Sequence, residues 1–253
     1  MTTTQTKPVT TGPAEAGPSV DRSSAAAPTS GANDRAFYRV AATAAFLALA
    51  ALMVGGVAMA LTTQAGTSTA GVLAAIGTNP WPFLAGGVGL ALVSLFDIFT
   101  IPGLHSALCR HGRILIMLAS VTAIIGDLLG IIGRLAQTAL VPVGLQTANT
   151  PGAELLAAGH ALDVLDTTIN TAGFVLVSVS FTCFGLLMLR GFSRPIGWIA
   201  IVAGGCTLLG QIPTLAPLFM IANAAYIAWY VGIGRRFWRA ARQREDVRGS
   251  VMI

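Results

Sequence analysis

The stretch "CFGLLMLRGFSRPIGWIAIVAGG", Cys183 to Gly205, holds two apolar runs on either side of a short break that carries Arg190 and Arg194. Followed outward, the runs cover about residues 169–189 and 195–215, each long enough to cross a hydrocarbon layer of about 30 Å as a helix. A helix satisfies its own backbone hydrogen bonds, as a segment surrounded by lipid must. Arginines in a short break between spans mark the cytoplasmic side. The break is therefore read as a cytoplasmic turn from which both helices run to the opposite surface.

The pattern recurs along the chain. Further apolar runs occupy about residues 40–61, 83–104, 114–135 and 217–237, which makes six transmembrane helices. Pro213 and Pro217 bracket the turn between the last two, where proline ends one helix and starts the next. Lys7, Arg22, Arg35 and Arg39 precede the first run, and Arg110 and Arg113 separate the second from the third. Arg190 and Arg194 separate the fourth from the fifth, and Arg235, Arg236, Arg239, Arg242, Arg244 and Arg248 follow the sixth. Only Arg134, of the 15 Lys and Arg, falls on the other side. The predicted fold is an all-α polytopic membrane bundle of six helices, multi-pass in the cell membrane, with both termini in the cytoplasm. Composition agrees: 54% of residues are hydrophobic and 10% charged, where a water-soluble domain carries about 25% charged. The mean hydropathy is +0.74.

Three regions are expected: a disordered cytoplasmic arm over 1–35, a six-helix transmembrane domain over 36–239 and a basic cytoplasmic tail over 240–253. The arm, "MTTTQTKPVTTGPAEAGPSVDRSSAAAPTSGAND", nearly lacks the large apolar residues that would order it. "AMA" at Ala58 to Ala60 resembles a signal cleavage site, but the apolar run and leader before it are too long for an ordinary signal, so cleavage is not expected. The closing "RRFWRAARQREDVR" anchors the topology and attracts anionic lipid. That placement explains the formal net charge of +5 without nucleic acid. Cys109, Cys183 and Cys206 have no disulfide spacing and are read as packing residues. His105, Cys109 and His111 sit close together, but no carboxylate or second cysteine completes a metal pattern. No phosphate loop, dinucleotide fingerprint or hydrolase elbow is present, so neither metal nor cofactor is expected.

Ionisable groups inside spans are costly and mark candidate sites. At 1.5 Å per residue, Asp127 lies about 20 Å along the third span, in its outer half, with Arg134 two turns further on the same face. Asn223 lies about 9 Å below the outer surface on the sixth span, with Tyr226 one turn deeper. Gln211 is near the outer end of the fifth. In "ELLAAGHALDVLDTTIN", Glu154 to Asn170, residues His160, Asp163, Asp166, Thr167 and Asn170 share a helical sector of about 120°. A polar cavity open to the exoplasmic side is predicted, rimmed by Asp163 and Asp166 and floored by Asp127 and Asn223. Arg134, His160, Asn170, Gln211 and Tyr226 are its candidate ligand-binding residues. The competing reading turns the carboxylates of the outer helix toward water and makes Asp127 and Arg134 a structural pair. Asp97, in "SLFDIFT", is set apart near the cytoplasmic side, about 21 Å inward along the second span, for pairing with an inner-loop arginine.

Residues 173–239 resemble an uncharacterised family of bacterial six-span membrane proteins, domain of unknown function 4386. The resembling elements are the opening stretch, with Arg190, Ser193, Arg194, Pro195 and Gly197, and the aromatic-basic "AWYVGIGRRFWR"; "DIFTIPGLHSAL" is a weaker echo. The long polar arm and the second outer loop depart from the family's general look. The resemblance implies the six-span fold and no site. Three function classes stand: a bilayer protein that binds a small or lipophilic molecule without catalysis, a membrane-embedded enzyme, and a small-molecule or proton-coupled carrier. The enzyme would use Asp127 as general acid on an isoprenoid-type substrate, with Asp163, Asp166 or Asp97 as alternatives. Six spans are few for a carrier, for which an oligomer would compensate.

Overall fold

The computed structural model describes residues 30–62, 68–150 and 152–249, with side chains from 36 to 242 within them. Its helices are α1 (Ser30–Thr62), α2 (Thr69–Thr78), α3 (Trp81–Leu108), α4 (Arg113–Asn149), α5 (Ala153–Leu189), α6 (Arg194–Gly210) and α7 (Leu218–Gly249), with short 3-10 turns at Cys109–His111 and Pro213–Leu215. No strand occurs among the described residues. Four segments are long and apolar enough to cross a membrane: Ala36–Thr62, Trp81–His111, Arg113–Asn149 and Ala153–Leu189. The architecture is that of a multi-pass helical membrane bundle. The arm expected over 1–35 lies, up to residue 29, outside the described residues. In the expected tail, residues 240–249 continue α7, and 250–253 lie outside the described residues.

Lipid-facing and inward surfaces separate cleanly. Ile114, Met117, Val121 and Leu128 along α4, with Val54, Val57 and Trp81, stand exposed on the outside of the bundle. So large an apolar surface is what hydrocarbon, not water, covers. Inside, α7 presents Ala222, Trp229, Tyr230, Ile233 and Phe237, spaced as one helical stripe. Trp229, Tyr230, Ile233 and Phe237 join Leu104 and Leu108 of α3, Ile116 of α4, and Phe184, Leu187 and Met188 of α5 in the main core.

Lipid gives no hydrophobic drive between helices, so close backbone approach supplies the packing. At the α1–α3 crossing, a Cβ on Gly89 would stand 2.8 Å from Gly55 Cα. At the α5–α6 crossing, a Cβ on Gly185 would stand 2.7 Å from Gly197 O.

Two helices run well past their expected spans. α4 and α5 have 37 residues each, about 55 Å of helix for a hydrocarbon layer of about 30 Å. α4 ends at Asn149 and α5 begins at Ala153, and the two helices pack side by side. α2 packs across them, where Leu73 and Ile76 meet Phe83, Leu140 and Val141 in a second, smaller core. The sequence carried α2 and the helical course of residues 136–149 only weakly, because an apolar patch of one helix covers that of another outside the six long runs.

Candidate functional site

The deepest polar residues meet where α3, α4, α5 and α7 converge. Asp97 of α3 accepts a 2.6 Å hydrogen bond at Oδ2 from the Tyr230 hydroxyl of α7. Its Oδ1 is buried without a partner, as are Ser180 Oγ of α5 and Trp229 Nε1 of α7. Asp127 of α4 is 5% exposed and makes no hydrogen bond among the described residues. Asp97, Asp127, Ser180 and Trp229 line one cavity, walled otherwise by Phe181, Phe184, Val177 and neighbouring apolar side chains. The cavity offers about 10 Å³ to the centre of a water molecule, room for a single water.

Buried polar atoms are nearly always partnered, so three orphans and an unbonded carboxyl around one space call for a guest. Ser180 and Trp229 can donate to it, and the two carboxyls can accept from it, while the Tyr230 hydroxyl is already engaged with Asp97. Two ionised carboxylates between apolar walls would need a compensating positive charge. Tyr226 adds a second layer: its hydroxyl lies 3.0 Å from Thr207 Oγ1, and its ring stands edge-on to Phe181 at 4.8 Å between centroids.

The outer polar residues form a separate cluster. Thr69, at the start of α2, donates to Asp163 Oδ2 at 2.9 Å and lies 3.4 Å from His160 Nδ1. One turn deeper along α5, Asn170 Nδ2 binds the Asp166 side chain and donates to Asp166 O at 3.0 Å. Arg134 donates from Nη1 to Gln137 Oε1 at 2.9 Å, and its guanidinium stands 6.0 Å from the Phe174 ring centroid.

The residues predicted to share one cavity are thus split, Asp127 lining the inner cavity and the α5 carboxylates belonging to the outer cluster. Between its expected rim and floor, α4 and α5 touch: a Cβ on Gly126 would stand 3.0 Å from Gly173 O, and one on Gly133 would stand 2.6 Å from Asn170 Nδ2. No space for a shared cavity remains there. Asp127 does not meet Arg134; it shares its cavity with Asp97 instead, and Asp97 bonds Tyr230 rather than an inner-loop arginine. Asn223 points outward because the inward stripe of α7 runs through its neighbour Ala222, 1% exposed. Gln211 keeps Nε2 buried and unpartnered at the end of α6 and does not line this cavity. Asp163, Asp166, His160, Asn170 and Arg134 all belong to the outer cluster. Sequence reasoning missed Tyr230, Ser180 and Trp229. The helical spacing of Tyr226, Trp229 and Tyr230 carried a signal, since polar-tipped aromatics on one inward face seek partners. Among the described residues, no group of three or more His, Cys, Asp and Glu is placed to hold a metal ion.

The family model described as domain of unknown function 4386 matches residues 39–236. The chain belongs to this family. The match runs from the membrane part of α1 into α7, so both polar clusters lie within the family domain. No curated protein and no solved structure matches the chain.

Proposed function

We propose that this protein is a six-span integral membrane protein of the cell membrane, with both termini cytoplasmic, that takes up and releases protons at the Asp97–Asp127 pair in the manner of a proton-coupled carrier. Six spans follow from counting α6 and α7 with the four segments named above. α6 has 17 residues, about 25 Å of helix, and the turn over Pro213–Leu215 continues it outward. Basic residues then fall at every inner end, as the positive-inside rule requires.

One observation carries the proton reading: two carboxyls, one with an unpartnered oxygen, and the unpartnered Ser180 Oγ and Trp229 Nε1 surround a space for one water. Intramembrane carboxyls of this kind are the usual elements of proton relays. A lipophilic molecule does not fit a space that small. A proton, bare or on a water, supplies positive charge within that volume.

A second reading draws on the aromatic walls. Phe181, Phe184 and Trp229 beside two acids suit a general acid acting on an isoprenoid-type substrate, whose cationic intermediates aromatic faces stabilise. It requires α7 to move away from α3 to admit the substrate.

Infrared difference spectra of the protein in lipid vesicles, recorded across a pH jump, test the proton reading. The wild type is expected to show a carboxyl carbonyl band that appears or vanishes with the jump. Asp97→Asn and Asp127→Asn each alter that band, and Asp163→Asn leaves it. A band unchanged in both inner variants refutes the proposal. An isoprenoid precursor accumulating in cells that carry Asp127→Asn would favour the enzyme.

A further inference from the structure

A second polar contact lies between the carboxyl pair and the end of the bundle where α3 turns into α4. His105 Nδ1 of α3 stands 3.3 Å from Ser120 Oγ of α4. His105 is about 5 Å above Leu108, where α3 ends, and Ser120 about 11 Å above Arg113, where α4 begins. Asp97 lies about two turns above His105, and Asp127 about two turns above Ser120 on the same face of α4. The His105 ring is partly exposed at this end, whereas Ser120 is buried. Ala123, one turn above Ser120, lines the carboxyl cavity together with Thr100 and Leu104 of α3. On that face α4 sets only this small residue between the Ser120 hydroxyl and the cavity.

The other side of the pair is closed. Beside Asp127, α4 meets α5 backbone to backbone, where a Cβ on Gly126 would stand 3.0 Å from Gly173 O. The Tyr226 hydroxyl, one turn outward of Tyr230 on α7, is held 3.0 Å from Thr207 Oγ1. The shortest polar route to the pair therefore starts at His105. An imidazole takes a proton on one ring nitrogen and releases another from the second, and a hydroxyl both accepts and donates. A histidine bonded to a serine is thus able to relay protons in either direction. Neighbouring elements bring Arg39 on α1, Arg110 and Arg113 around the α3–α4 turn, and Arg236, stacked on Phe192, on α7 to this end. With cations gathered at the end and the acids Asp97 and Asp127 above, the field draws a proton on the ring inward.

We infer that His105, through Ser120, passes protons between the cytoplasm and the Asp97–Asp127 pair. The inference rests on the proton reading of that pair. A proton bound at Nε2 from cytoplasmic water releases the Nδ1 proton to Ser120, whose own hydroxyl proton moves through water beside Ala123 to the carboxylate. The ring, left as its other tautomer, resets by turning. The rate at which the carboxyl infrared band changes after a pH jump tests this, with the full chain in detergent. His105→Gln can keep a hydrogen bond to Ser120 but cannot relay a proton. It is expected to reach the wild-type band amplitude at a rate at least about tenfold lower, the loss of a positioned acid–base group. His105→Ala is slowed alike, and imidazole added to the buffer restores its rate, a rescue that a merely structural bond would not show. A wild-type rate in His105→Gln, or no rescue of His105→Ala, overturns the inference and leaves the proton reading standing. A wild type without the band overturns both.

Discussion

Gly55→Leu is expected to leave almost no folded protein, while Gly56→Leu, one residue along the same helix, folds as the wild type does. A Cβ on Gly55 would stand 2.9 Å from Leu90 N and 3.1 Å from Gly89 C, both backbone atoms of α3. Backbone cannot rotate aside as a side chain can, and Gly89 meets Gly55 with equal closeness from its own side. Overpacking a core ordinarily costs about 1–3 kcal/mol. A leucine wedged between two helix backbones belongs with the exceptional cases above about 4 kcal/mol, a large share of the 5–15 kcal/mol that holds a typical domain together, roughly. A Cβ on Gly56 meets nothing within 4 Å, and substitution there stays within about 0.5 kcal/mol. Gel filtration in detergent and the thermal midpoint measure both variants. Equal behaviour of the two would mean that α1 and α3 do not cross at Gly55 and Gly89.

Asp127→Asn is expected to stabilise the protein by about 1–3 kcal/mol, the cost of burying a polar group that lacks a partner. Asp127 is 5% exposed and accepts no hydrogen bond among the described residues. An amide of the same shape carries no charge beside the Asp97 carboxyl with which it shares the cavity. Asp97→Asn gains less, since Oδ2 already receives the Tyr230 hydroxyl. On the proposed reading, the same Asp127→Asn change also removes proton exchange at the pair. A more stable and less active variant is the ordinary signature of a functional strain site. Thermal unfolding in detergent decides the point: loss of stability in Asp127→Asn would mean that the carboxyl has a favourable partner and is structural.

The long apolar runs and the alternation of basic residues made the helical membrane fold legible, because hydrocarbon imposes length and charge rules that read directly from sequence. Pairwise packing was less legible. Gly55 and Gly56 are identical letters, and only the direction each faces tells them apart. Asp97 shows how depth counting misleads. Counted from the outer end of its span, it falls in the inner half, while Asp127 falls in the outer half. Counted from the turn that α3 and α4 share, Asp97 is about 16 Å above Leu108 and Asp127 about 21 Å above Arg113. The two carboxyls are thus within about one helical turn in height, and a common origin would have paired them. Arg134 and Asp127 do share a face of α4, but the glycine contacts of α4 with α5 keep their surroundings apart.

Cysteine accessibility across α6 tests most directly whether lipid surrounds six helices. In a chain with Cys109, Cys183 and Cys206 replaced by alanine, single cysteines at Ser193→Cys and Thr214→Cys bracket α6, the shortest of the proposed spans. A membrane-impermeant maleimide added to intact cells should label Thr214→Cys at once and Ser193→Cys only after the membrane is opened. Labelling of both from the same side would show that α6 does not cross, and the six-helix topology would fall with it.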